Sequence, residues 1–196
     1  MKRKLYLVVF TFLLTCVWSV CTEAASIDFN SLSNGEIVNN QFSASHGVKI
    51  SAVNTGGGPD LSIIFDSQLT GTADPDLEGP SWGGGNLSTS TVLGNLLIIA
   101  ENDVVNKDGL IVSPDDEGSR PAGSIFFDFD ALIVSFGFDL IDVEGPEEFG
   151  VDSGFFATFF DETTTVLAKV GFGSLVLRDS AVYGNNTINR ISPFTL

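Results

Sequence analysis

The residues best suited to chemistry in this chain are carboxylates, and the sharpest group is Asp74-Pro75-Asp76-Leu77-Glu78-Gly79. Oxygen-bearing side chains at positions 1, 3 and 5 with glycine at 6 match the opening of a calcium loop. There, alternate side chains converge on one hard cation and glycine permits the turn. An EF-hand would carry glutamate at position 12; here that position is Gly85, and no helical segments flank the run. An EF-hand is therefore excluded, which leaves a loop of a β-protein that draws further ligands from elsewhere in the chain. Asp115-Asp116-Glu117, which follows Pro114, can supply them, as can Asp66, Glu101 or Asp103. The predicted metal ligands are Asp74, Asp76, Glu78, Asp115 and Asp116, with Ca2+ as the expected ion. The alternative is a pair of solvated acidic turns.

Other chemistries find little support. His46 is the single histidine and precedes Gly47 in a turn context, so it reads as a loop residue rather than a base. With no second histidine and no cysteine beyond position 21, there is no zinc site and no Cys–His pair. The glycine runs at 56–58 and 83–85 lack the Lys-Ser/Thr of a phosphate loop, and no GxSxG occurs. No catalytic residue is assigned. Carboxylate pairs are plentiful, so a two-carboxylate glycosidase or a carbohydrate-binding module stays as the alternative function. Trp82, beside Pro80 and Gly83, is the one tryptophan beyond residue 18 and is the candidate ligand-binding residue, a stacking platform for a sugar.

These residues must be held by strands. Ile125, Phe127 and Phe129 alternate with Phe126, Asp128 and Asp130, and Leu132, Val134, Phe136, Phe138 and Leu140 alternate over the next nine residues. Period two marks strands with one apolar face. Phe155 to Phe160, the turn Asp161-Glu162-Thr163-Thr164 and Thr165 to Phe172 read as a hairpin. Further strands are predicted at Ser26–Phe29, Val48–Val53, Leu61–Phe65 and Leu93–Ala100. No segment has helical periodicity with caps, so the expected fold is all-β: an antiparallel, jelly-roll-like β-sandwich. Many of the 17 phenylalanines fall on alternating strand positions, where they fill a core rather than form a binding face. Residues 66–92 and 101–123 read as long loops, the second with a short strand at Leu110–Val112. Loops of this length carry function more often than their neighbours do.

The ends and the charge bound the setting. Lys2, Arg3 and Lys4 precede the apolar run Leu5 to Val20, and Ala24, Ala25 and Ser26 offer a cleavage site. Residues 1–25 are read as a signal peptide and 26–196 as one β-sandwich domain. The apolar run, about 16 residues, is short for the roughly 20 that a membrane span needs. Lipid attachment at Cys16 or Cys21 is the minor alternative. Both cysteines lie in the leader, so the mature domain has no disulfide. Beyond the leader, 24 acidic and 6 basic residues leave a net charge of −18. That field excludes nucleic acid and anionic membranes as partners and attracts cations.

In combination, IFDSQLTG, DPDLEGP, GNLLIIAEN, PDDEGSRPAGSIFFDFD, FGFDLIDVE and YGNNTINRISP resemble secreted single-domain proteins of the PEP-CTERM (exosortase-sorted) class of Gram-negative bacteria, over residues 27 to 193. The resemblance implies export, a jelly-roll-like sandwich, and a place on the cell surface or in matrix material beside extracellular polysaccharide. It implies no enzymatic activity. Members of that class continue with a further strand, a Pro-Glu-Pro motif, an apolar helix and a basic tail, whereas this sequence ends at Leu196. The resemblance thus implies a sandwich short of its final strand and of the sorting tail.

Overall fold

The computed structural model describes residues 25–143, 145 and 155–195. Residues 1–24, which include both cysteines and Ala24 of the predicted cleavage site, lie outside the described residues. The fold is all-β and antiparallel, built from four two-stranded ladders. Strand β1 (Val48–Asn54) pairs with β4 (Gly123–Phe129), and β2 (Ser62–Asp66) with β3 (Asn95–Ile99). Strand β5 (Ser135–Ile141) pairs with β8 (Ile188–Thr195), and β6 (Phe156–Phe160) with β7 (Val166–Gly171). The only α-helix among the described residues is the single turn α1 (Ser43–His46). None is long and apolar enough to cross a membrane.

Alternation explains the first two ladders. Val48, Ile50 and Ala52 of β1 are buried while Lys49, Ser51 and Val53 are exposed. Ile50, Val48, Ile125, Phe127 and Phe129 pack with Ile64 of β2 and Leu97 of β3. The other face of β2, Ile63 and Phe65, packs with Ile98, Ala100, Leu77 and Ile111. Strand β2 is thus covered on both faces, which is why SIIF is a continuous apolar run rather than an alternating one. Residues 35–38 add to it through Gly35 N to Ile64 O at 2.8 Å and Val38 N to Ser62 O at 2.8 Å.

The structure departs from the sequence reading in four places. Leu132 and Val134 are exposed, Leu132 at 88%, because residues 130–134 form the corner between β4 and β5 and have no strand partner there. Phe136 and Phe138 keep their common face: Phe136 meets Phe127 and Phe129, and Phe138 meets Phe155. Ser26–Phe29 is not a strand; Phe29 takes φ 57° and its carbonyl accepts from Leu32 N at 3.0 Å in a turn. In place of a strand at Leu110–Val112 there is a single bridge, Val105 to Ile111. The chain also closes on a strand the pattern did not announce. Strand β8 carries Asn189, Arg190 and Pro193, and it absorbs them with a register shift opposite Phe136 and Phe138.

Candidate metal centre

Two loops bring the acidic residues together. The first, after β2, is tied down by Ser67, whose amide and hydroxyl donate to Gly94 O at 3.1 and 2.7 Å. Pro75–Leu77 then form one 3-10 turn, with Asp74 as its N-cap accepting from Leu77 N at 3.3 Å. Leu77 is buried against Ile63 and Phe65, so the apolar core holds the turn and with it Asp74. The second loop runs beside β3. Asp116 bridges Ala100, Glu101 N donates to Asp115 O at 3.2 Å, and Glu117 N donates to Ile99 O at 3.0 Å. One oxygen each of Asp74, Asp115 and Asp116 lie within 4.8 Å of one another. The three grade from floor to rim: Asp74 is buried at 8% exposure, Asp115 half-buried and Asp116 exposed.

The electrostatics of this trio are unfavourable without a cation. Asp74 Oδ2 is fully buried and accepts from no donor. Burial raises the Asp74 pKa, the Leu77 amide opposes this, and the charges of Asp115 and Asp76 add to it. Asp116 is pushed up to about 7, by removal from water first and then by the charges of Asp74, Asp115 and Asp142. Glu101 is raised chiefly by the charge of Asp115. No basic group figures among the neighbours that shift these three residues. Carboxylates so close are not all ionised at neutral pH unless a metal ion is held among them; without one, a proton stays on the group. An all-oxygen donor set on irregular loops suits a hard divalent cation.

The structure separates the five predicted ligands. Asp74, Asp115 and Asp116 converge; Asp76 and Glu78 do not join them. In a 3-10 turn successive side chains step about 120° apart, so residues 1, 3 and 5 do not share one face as they would in a calcium loop. Asp76 is exposed. Glu78 turns back on its own loop, Oε1 accepting from Thr72 N at 2.6 Å and Thr72 Oγ1 at 2.8 Å, which holds its pKa low. Asp103 is exposed, Asp66 accepts from Gln68 N at 3.0 Å, and Glu117 is buried and bound by Asn54 Nδ2 at 2.8 Å. Asp142, which the sequence reading missed, stands near Asp116 at the end of β5 with φ 58°. Nothing local marks it, since it follows an apolar strand and arrives only through the β5–β8 pairing.

Trp82 is not a platform. It is 1% exposed, its Nε1 donates to Thr91 O at 2.8 Å, and it packs with Leu87, Leu93, Ile141 and Ile188. Gly79 lies under the indole, where a Cβ would fall about 2.1 Å from Cζ2. No face is left for a sugar. His46 ends the helical turn, its Nδ1 2.8 Å from Ser45 Oγ and its ring against Phe42. Comparisons with protein-family models, curated proteins and solved structures give no significant match.

Proposed function

We propose that this protein is an exported, non-catalytic β-sandwich module of the cell surface or extracellular matrix whose long loops are stapled by calcium at Asp74, Asp115 and Asp116. One observation carries the reading: Asp74 is buried with its Oδ2 lacking a donor, and its carboxylate stands in a trio with those of Asp115 and Asp116. An isolated buried charge of this kind is strongly disfavoured, and a divalent ion converts the cost into a binding energy. The leader pattern, the lack of disulfides and the acidic composition support export, where calcium is abundant.

The test is thermal melting in calcium, in magnesium at matched ionic strength, and in chelator. For an extracellular-type Kd of about 10⁻⁴ M, calcium at about 10 mM stabilises by roughly 2.7 kcal/mol, or about 5–10 °C for a chain of this size. Asp74→Asn abolishes the increment and Asp76→Asn leaves it intact. Equal responses to calcium and magnesium, unchanged in Asp74→Asn, would reduce the trio to screened surface charge.

A second reading has one observation behind it. A carboxyl held near 7 beside a second carboxyl group, as Asp116 is beside Asp74 and Asp115, is the kind of pair that a glycosidase uses. Hydrolysis of extracellular polysaccharide, lost in Asp116→Asn, would favour it over the staple.

A further inference from the structure

A cleft of about 280 Å³, with Asn34, Leu69, Thr70, Thr72, Ser113 and Pro114 among its lining residues, ends one residue short of Asp74 and of Asp115 along the chain. Its two walls run into Asp74 through Gly71, Thr72 and Ala73, and into Asp115 through Ser113 and Pro114. Asp116, at the rim, is exposed, so the trio opens outward on that side. Three carboxylates offer six oxygens at most, and fewer when they bind through one oxygen each, whereas calcium takes six to eight. Some coordination positions therefore fall to groups outside the trio. Resting on the calcium reading above, we infer that this rim is a recognition site for a neutral vicinal diol of a saccharide, whose hydroxyl pair completes the ion's coordination while the ring enters the cleft. The lining suits such a ligand: hydroxyl and amide groups from Thr70, Ser113 and Asn34 stand beside the apolar Leu69 and Pro114.

Charge selects against the other common oxygen ligands. Three carboxylates and one dication leave the centre negative, within a chain of net charge −16. A uronate or a phosphate is repelled at such a site, while a hydroxyl pair brings coordinating oxygens without charge.

The experiment titrates the full chain with methyl glycosides of mannose, galactose, glucose and fucose, which among them present cis and trans diols. Sodium glucuronate is the anionic control, and each titration is run in calcium and in chelator by ligand-observed NMR. Expected is binding of at least one glycoside at least tenfold tighter in calcium, with glucuronate weaker than any glycoside that binds. Thr70→Trp, which fills the cleft wall without touching the trio, abolishes glycoside binding and keeps the calcium melting increment. If calcium raises the melting temperature but no glycoside binds, or glycosides bind equally in chelator, or glucuronate binds best, the diol site is overturned and the staple stands. If calcium has no specific effect on melting, both readings fall.

Discussion

Asp74, Asp115 and Asp116 are three like charges held close by loops that the rest of the fold fixes, and pH should expose their conflict. In the ion-free fold Asp116 holds its proton up to about pH 7, against an ordinary value of 3.8 in the unfolded chain. Between those values the folded state binds more protons than the unfolded one, so stability falls as pH rises through the window. Glu78, Glu117 and Asp161 are held low by their hydrogen bonds, and their contribution is fully present above their ordinary values of 4.5, 4.5 and 3.8 and is lost only in more acidic solution than that. In chelator the protein should therefore melt at a lower temperature at pH 8 than at pH 5.5. Calcium competes with the shared proton, so its stabilising increment should be larger at pH 8. An increment that is the same at both pH values would mean that the ion does not engage Asp116. In chelator at pH 8, Asp74→Asn should melt no lower than the parent, because the amide relieves a buried charge while filling the same volume.

At the scale of elements, the loop between β2 and β3 acts as structure rather than as a tether. It spans from Leu77 in one core cluster to Trp82 and Leu87 in another. Leu87 N donates to Asn186 O at 3.2 Å, and Asn86 exchanges two hydrogen bonds with the Ile188 backbone at 2.8 and 2.9 Å. Trp82→Ala should cost about 3–5 kcal/mol, as expected for a large buried aromatic with a satisfied indole N–H. Leu132→Ser, at the exposed corner, should change stability by less than about 0.5 kcal/mol. Urea denaturation of the two variants checks this, and equal losses would mean that the corner packs against something in solution. Phe138, half-buried in the β5–β8 ladder, should fall between the two.

For the molecule as a whole, the acidic trio and the Trp82 cluster stand at two ends of the loop between β2 and β3. A calcium ion held as proposed would tie Asp74 to the loop beside β3, and Trp82 packs against Ile141 and Ile188 of β5 and β8, with Asp142 following β5. Removing calcium should loosen the loop between them. Trp82 is the only tryptophan beyond Trp18, so in a Trp18→Phe background its fluorescence reads this directly. Acrylamide quenching should rise in chelator and fall back with calcium, and proteolytic nicking within residues 83–92 should follow the same course. Unchanged quenching alongside a calcium-dependent melting shift would confine the ion's effect to the trio itself.

Local regularities were readable from the residues alone. Alternation located β4 and most of β5, strands were expected where β1, β2 and β3 lie, and Asp161, which accepts from Thr163 N at 2.8 Å and Thr165 N at 2.9 Å, stands in the turn expected between β6 and β7. Acidic spacing pointed to both loops of the trio, and the absence of helical periodicity to an all-β class. These signals lie within a few residues of what they specify, where backbone geometry and side-chain period decide the outcome. Contacts across the chain decided the rest. Whether Asp76 and Glu78 joined Asp74 depended on a 3-10 turn pinned by Leu77 in a distant core. Whether Trp82 faced water depended on residues 186–188, about a hundred positions away. Asp142 reached the trio, and a polar C-terminal segment became β8, only through pairing with β5. Such placements rest on burial and ladder hydrogen bonds between remote segments, which no local spacing encodes and only the folded chain brings together.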